Sequence, residues 1–189
     1  MTTGSVSPRR ADTRRNHERI LVAAAASLAE TGEVSFNAIA KQAGVGVGTV
    51  YRHFPTPEAL ILAVYRREVR HIVEVVPVLL EKHEPGEAFR HWVTDHVAHY
   101  MMTKKGLADA LRTATAARGQ LPVDAYEDLV GAVAEMLDAN AAAGTVRSGL
   151  DPVLVMRGMG GLLWLDPNED WRSDAANLAD LLWYGLAAR

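Results

Sequence analysis

The sequence predicts an all-α protein of about nine helices, and two observations carry that prediction. Apolar residues recur at spacings of three and four along most of the chain, the period of one buried helical face, and no segment sustains the alternation of a half-buried strand. Glycine, proline and short polar residues interrupt the pattern at helix-length intervals, in positions suited to starting and stopping helices. Ile20, Leu21, Ala24 and Leu28 form the first stripe, which Thr31-Gly32 ends. Ser35 is a good N-cap for a second helix carrying Phe36, Ile39, Ala40 and Ala43, and Gly44 stops it because glycine takes the left-handed conformation without steric cost. A short third helix over 46–53 turns Val50 and Phe54 inward. Thr56-Pro57 caps a long fourth helix, expected over 56–82 with a kink at Pro77.

Beyond the turn Glu84-Pro85-Gly86, a helix over 87–103 carries Phe89, Trp92, Val93, His96, Val97 and Tyr100. Lys104-Lys105-Gly106 punctuates the chain before a short helix over 107–117. Residues 122–143 form the next, with Tyr126, Leu129, Val130, Val133 and Leu137 as its stripe. A connector over 143–150 leads to a helix capped by Asp151-Pro152 and running to Leu165, and after Asp166-Pro167 the last helix spans 169–188.

Composition narrows the function. Of the 189 residues, 49% are hydrophobic and 23% charged, the balance of a globular chain. With no cysteine, disulfides and thiolate metal sites are excluded, and a reducing, cytoplasmic location is the expectation. No run reaches the ~20 apolar residues of a membrane span. Arg9-Arg10 and Arg14-Arg15 ahead of the run 20–29 also fit an export signal. Glu18 and Arg19 abut that run, however, and its stripe is helical, so it reads as the first helix, preceded by a flexible basic arm over residues 1–12. The net charge of −3 hides an asymmetry: residues 1–70 hold ten basic and six acidic side chains, residues 71–189 ten and seventeen. A positive head on an acidic body orients the head toward phosphates.

Residues 35–54, SFNAIAKQAGVGVGTVYRHF, read as a helix-turn-helix with Val45 as the plug between its two helices. The second helix exposes Val47, Thr49, Arg52 and His53, with Tyr51 at the flank, which are the side-chain types that suit a groove-entering helix. An ordinary helical corner has the same spacing. What distinguishes the two is a resemblance. Residues 14–65 resemble the DNA-binding domain of the tetracycline-repressor (TetR) family of bacterial regulators, in Ile39-Ala40, Ala43-Gly44-Val45, Gly48-Thr49, Tyr51, His53-Phe54 and Ala59-Leu60. The resemblance implies a DNA-binding domain over 13–56 and a helical ligand-binding and dimerisation body over 57–189.

The candidate DNA-binding residues are Val47, Gly48, Thr49, Tyr51, Arg52, His53 and Thr56. Gly48 lets the backbone approach the duplex, and the hydroxyl and methyl of Thr49 suit a phosphate and a thymine methyl. Arg52 is the candidate for a bidentate contact to guanine, and Val47 for a thymine methyl. By the resemblance, Tyr51 and His53 hold phosphates. The chain departs from many relatives in carrying Pro57 where they have a phosphate-binding lysine. The arginines of the arm are placed to compensate.

The resemblance also implies a homodimer on a two-fold double-stranded operator, with the last two helices pairing against their copies. Met156, Met159, Gly160 and Leu163 make one stripe there, and Leu178, Leu181, Leu182 and Gly185 another. From the stripes alone, interface and intrachain core stay equally open. An unidentified small-molecule effector is implied as well, with Trp92, His96, Tyr100, Met136 and Met156 as candidate pocket residues, although such residues at helical spacing also form plain core. No metal or cofactor is expected: His96 and His99 share a face, but His91 is out of phase with them. The chain is not expected to be an enzyme, since it shows no Ser/His/Asp grouping, phosphate-binding glycine loop or paired-carboxylate motif. A dimeric repressor is the leading expectation, with an activator or a ligand-independent DNA binder as alternatives.

Overall fold

The computed structural model describes residues 8–116 and 122–188. In chain order it holds α1 (Pro8–Thr31), α2 (Phe36–Ala43), α3 (Val47–His53), α4 (Pro57–Glu74), α5 (Val76–Lys82), α6 (Pro85–His91), a π-helical stretch Trp92–Ala98, α7 (His99–Thr103), α8 (Lys105–Thr115), α9 (Val123–Ala142), α10 (Pro152–Gly158), a 3-10 turn Met159–Trp164 and α11 (Trp171–Leu186). Joined where one segment continues the last (α4 with α5, α6 through α7, α10 with the 3-10 turn), these make nine helices among the described residues, as the sequence predicts. The described residues form no strand beyond one isolated antiparallel bridge, Val146 with Ala187.

The chain divides into two compact units. The first comprises the described residues within Met1–Arg67 and Lys105–Gly119. Its core is built from the predicted stripes: Ile20, Leu28, Ile39, Val50, Leu60 and Val64 are fully buried. Burying each such side chain stabilises the head by about 1.5–3 kcal/mol. Ser35 caps α2, its hydroxyl accepting from the Ala38 N–H at 3.4 Å. Gly44, at φ +61°, closes the same helix, with its N–H on the Lys41 carbonyl and that of Val45 on the Ala40 carbonyl. This pair of hydrogen bonds is the Schellman arrangement, and it fixes the angle at which the chain enters α3.

Two boundaries differ from the sequence reading. α1 begins at Pro8, so residues 8–12 of the expected arm are helical, while residues 1–7 of that arm lie outside the described residues. The head also runs past the expected boundary at residue 56, because Leu60 and Val64 are buried with it, and it takes in α8. Leu107 and Leu111 of α8 are buried, and Gly106 sits against the end of α1, where Gly32 terminates the helix at φ +70°.

The second unit comprises the described residues within Glu68–Lys104 and Gln120–Arg189. Its core gathers Val76, Phe89, Trp92, Val93, Ala132, Val133, Met136, Leu162 and Ala175 from the helices of that unit. The long fourth helix breaks between Glu74 and Val76, just ahead of Pro77, whose ring cannot follow a regular turn. Trp92 donates its indole N–H to the Ile72 carbonyl at 2.9 Å, so the buried ring leaves no polar atom unpaired. Buried Asn140 donates to the carbonyls of Pro85 at 2.9 Å and Met136 at 2.8 Å and accepts from the Thr145 hydroxyl. Gly144 at φ +71° closes α9, after which Thr145 and Arg147 pair with the chain around Leu186–Ala188, tying the C-terminal end to the connector.

Candidate nucleic-acid interface

α3 stands on the head as a short helix with one face fixed and one free. Val50 is fully buried beneath it and Phe54, just past its end, is 4% exposed. The opposite face carries Val47 at 39% exposure, Tyr51 at 54% and an exposed Arg52. Tyr51 is held edge-on to Phe36 of α2, with ring centroids 4.7 Å apart, a contact that buttresses one side of the exposed ring. A Cβ built on Gly46 or Gly48 meets no protein atom within 4 Å. Packing within the protein therefore does not require either glycine, whereas close approach by an outside backbone would.

Arg52 lies along its own helix. Its Nε donates to the Gly48 carbonyl at 3.2 Å and its guanidinium to the Thr49 hydroxyl at 2.9 Å. Both bonds are exposed and weak enough to be exchanged for a base edge. Thr49 and His53 are half-buried rather than fully exposed. Thr56 is engaged in the cap of α4: its hydroxyl oxygen accepts from the Ala59 N–H at 3.2 Å. Glu58 in the same first turn is held below the usual carboxylate range by its own backbone N–H and by the Thr56 hydroxyl. That keeps a negative charge at the start of α4, where the family resemblance leads one to look for a cation.

Two basic residues that the sequence reading passed over sit close by. Arg19 of α1 reaches across to the Gly44 carbonyl in the turn at 3.4 Å, and Lys41 is exposed in the last turn of α2. Arg15, by contrast, is paired with Asp12 on α1, and Arg67 with Glu18 at 2.6 Å. His17 on α1 packs against the end of α3, with its ring centroid 5.5 Å from that of His53 and 4.9 Å from that of Phe54. Proximity across helices brings it there, and no spacing rule in the sequence signals it.

The second unit sorts the remaining candidates. Trp92 and Met136 are fully buried in one cluster, on which Tyr100 and Met156 pack partly buried, and His96 is half-buried. Burial holds His96 below its ordinary pKa, Asp95 opposing the shift and His91 and His99 adding to it. None of these five lines the two surface cavities of about 290 and 380 Å³, which share Thr94, Asp95 and Ala176 and lie between the helix of residues 85–103 and α11. The three histidines diverge, His91 bonding Asp95 at 2.8 Å and His99 lying 6.1 Å from the Trp171 ring. Burial of Asp95 works to raise its pKa, but the His91 and Thr94 hydrogen bonds and the charges of His91 and His96 outweigh it and hold the carboxyl low.

On the last two helices the stripes divide. Met159 is buried, while Met156, Gly160, Leu178 and Leu182 are half-buried. Leu182 and Leu178 pack toward Gly158 and Gly161, where added Cβ atoms would lie 3.1 and 3.7 Å from their methyl groups. Leu163 and Leu181 point outward at 64% and 71% exposure, and Gly185 is exposed beside them. Trp164, Tyr184 and Leu154, which the sequence reading did not single out, are exposed at 89%, 76% and 65%. These large apolar side chains are left in water on the last two helices of the described residues.

Residues 20–64 match the tetR family of bacterial regulatory proteins, and residues 84–188 match the C-terminal domain of SbtR-like transcriptional regulators. The chain belongs to the TetR family of transcriptional regulators. A TetR transcriptional regulator from Streptomyces coelicolor is 39% identical, with 91% of this chain and 98% of that one covered at a TM-score of 0.74. The TetR transcription regulatory protein from Mycobacterium vanbaalenii is 33% identical, with 96% and 100% covered at 0.69. SmeT, the repressor of a multidrug efflux pump of Stenotrophomonas maltophilia, shares the fold at 21% identity, 93% and 92% coverage and a TM-score of 0.63. No curated protein matches the chain. The helix-turn-helix of this TetR-family member is thus α2 and α3, and no described helix is long and apolar enough to cross a membrane.

Proposed function

We propose that this TetR-family regulator acts as a homodimeric repressor that leaves a palindromic operator when a small molecule binds its body. The observation that carries the reading is α3, whose free face combines an exposed Arg52, a buttressed Tyr51 and two glycines that protein packing does not require. Two copies of such a helix fit successive major grooves of a two-fold site, one turn or ~34 Å apart. The exposed stripe of Leu163, Trp164, Leu181 and Tyr184 supports pairing of the last two helices with their copies. Repression follows by likeness to SmeT, whose fold is the same, and a regulator of this kind works in the cytoplasm where the DNA is. An effector that prefers the DNA-free state with a coupling of about 1–3 kcal/mol lowers operator affinity roughly five- to 150-fold.

Arg52 tests the interface directly. Arg52→Ala is expected to cost about 1–3 kcal/mol on the preferred duplex and to relax base preference at one position per half-site. Fluorescence anisotropy against a panel of single-base variants reads both effects. An equal loss on every duplex assigns Arg52 to a phosphate instead.

A further inference from the structure

His17 of α1 is a titratable side chain that packs directly against the end of the recognition helix. Its half-buried ring is edge-on to His53, the last residue of α3, and tilted against Phe54. An imidazole here places a second protonatable ring with its centroid 5.5 Å from that of the first, which an apolar side chain would not. The groups that act on its charge are His53 from α3 and Glu18 from α1 itself. Burial first, and then the neighbouring His53, hold His17 below its ordinary value, while Glu18 pulls the other way. Glu18 is engaged by Arg67 at 2.6 Å, which weakens that pull. Burial and His53 thus favour the uncharged form of His17 in the free head.

A nucleic-acid phosphate changes the balance for both rings, because an anion favours the charged form of every imidazole near it and offsets their mutual repulsion. We propose that His17 and His53 form a proton-linked phosphate site, His53 touching the backbone and His17 supporting it from behind, so that operator binding takes up protons on both rings. The inference rests on the reading that α3 enters DNA with His53 at a phosphate. Its sign follows from linkage: groups that bind protons more tightly in the complex than in the free protein strengthen binding as pH falls and weaken it as pH rises. Each proton taken up contributes at most about tenfold in affinity per pH unit.

The test uses the full chain, a duplex enriched by the protein from random DNA, and affinities measured at constant ionic strength from pH 8 to pH 6. Wild-type affinity is expected to rise by more than about tenfold over that range. His53→Gln and His17→Gln should each flatten the profile, and the double variant should flatten it further. Imidazole NMR on the wild type provides a second readout that does not depend on how the variants fold, with the His17 titration midpoint expected to move up when DNA binds. A His17→Gln profile as steep as wild type, or a His17 midpoint that DNA does not move, overturns the proposal while leaving the DNA-binding reading intact. If the wild-type protein binds no duplex at any pH, the underlying reading fails and the inference fails with it.

Discussion

Replacing Gly106 with alanine is expected to destabilise the head more than any other single-methyl change in it. A Cβ at this position would lie 2.1 Å from the Leu28 carbonyl oxygen and 3.0 Å from the Cα of Gly32. Both are backbone atoms, and the oxygen already accepts the Gly32 N–H that closes α1, so no side-chain rotation relieves the overlap. α8 and the end of α1 have to separate. Overpacking of this kind typically costs about 1–3 kcal/mol, and a clash with backbone puts the expectation at or above the upper end. For a chain of this size each kcal/mol lowers Tm by roughly 2–4 °C, so calorimetry should show a fall on the order of 6–12 °C. Gly131→Ala is the matched control, since a Cβ there meets nothing within 4 Å and alanine favours a helix over glycine. Equal Tm values for the two variants would show that the α1–α8 crossing is looser than described.

Leu181→Glu is expected to separate the protomers. Leu181 is 71% exposed in the single chain, one turn from the exposed Tyr184 on α11, and Leu163 and Trp164 are exposed on the preceding helix. Folding of the protomer should therefore tolerate the charge, because the side chain contributes little to the protomer's own core. A dimer interface should not, since two such carboxylates would be brought together out of water across a two-fold axis. The expected outcome is a well-folded monomer by analytical ultracentrifugation, with operator affinity lowered by about 10² or more because two half-sites are no longer engaged as one unit. Leu178→Glu provides the contrast: its half-buried side chain packs toward Gly161, so that variant should lose protomer stability first. A Leu181→Glu protein that stays dimeric would move the interface away from this face.

The sequence and the structure agree where the determinants are local. Ser35, Gly44 and Thr56 act as the caps that their positions in the chain imply, since a capping hydroxyl or a left-handed glycine answers to residues three or four away. The stripes of the head are buried as the helical period requires. What could not be read depends on partners far along the chain. Gly106 looked like a mere break before a helix, yet it lies inside α8 and is required by the Leu28 carbonyl and Gly32 at the end of α1. His17 gained its position from His53 in the same way. The stripes of the last two helices combined two periodic faces: Met159, Leu178 and Leu182 turn toward their own chain and Leu163 and Leu181 away from it. A helical period identifies apolar faces but does not say which neighbour each one meets. The candidate pocket illustrates the same limit, because Trp92 and Met136 satisfy a core and an open pocket equally well at the level of sequence.

The central claim is that α3 reads a two-fold DNA site, and selection from random duplex DNA by the purified protein tests it most directly. Sequencing of the bound pool is expected to reveal a palindrome whose half-sites are centred about one helical turn apart, with affinity falling steeply as salt rises. A pool that shows no enriched sequence even at low salt would contradict the account.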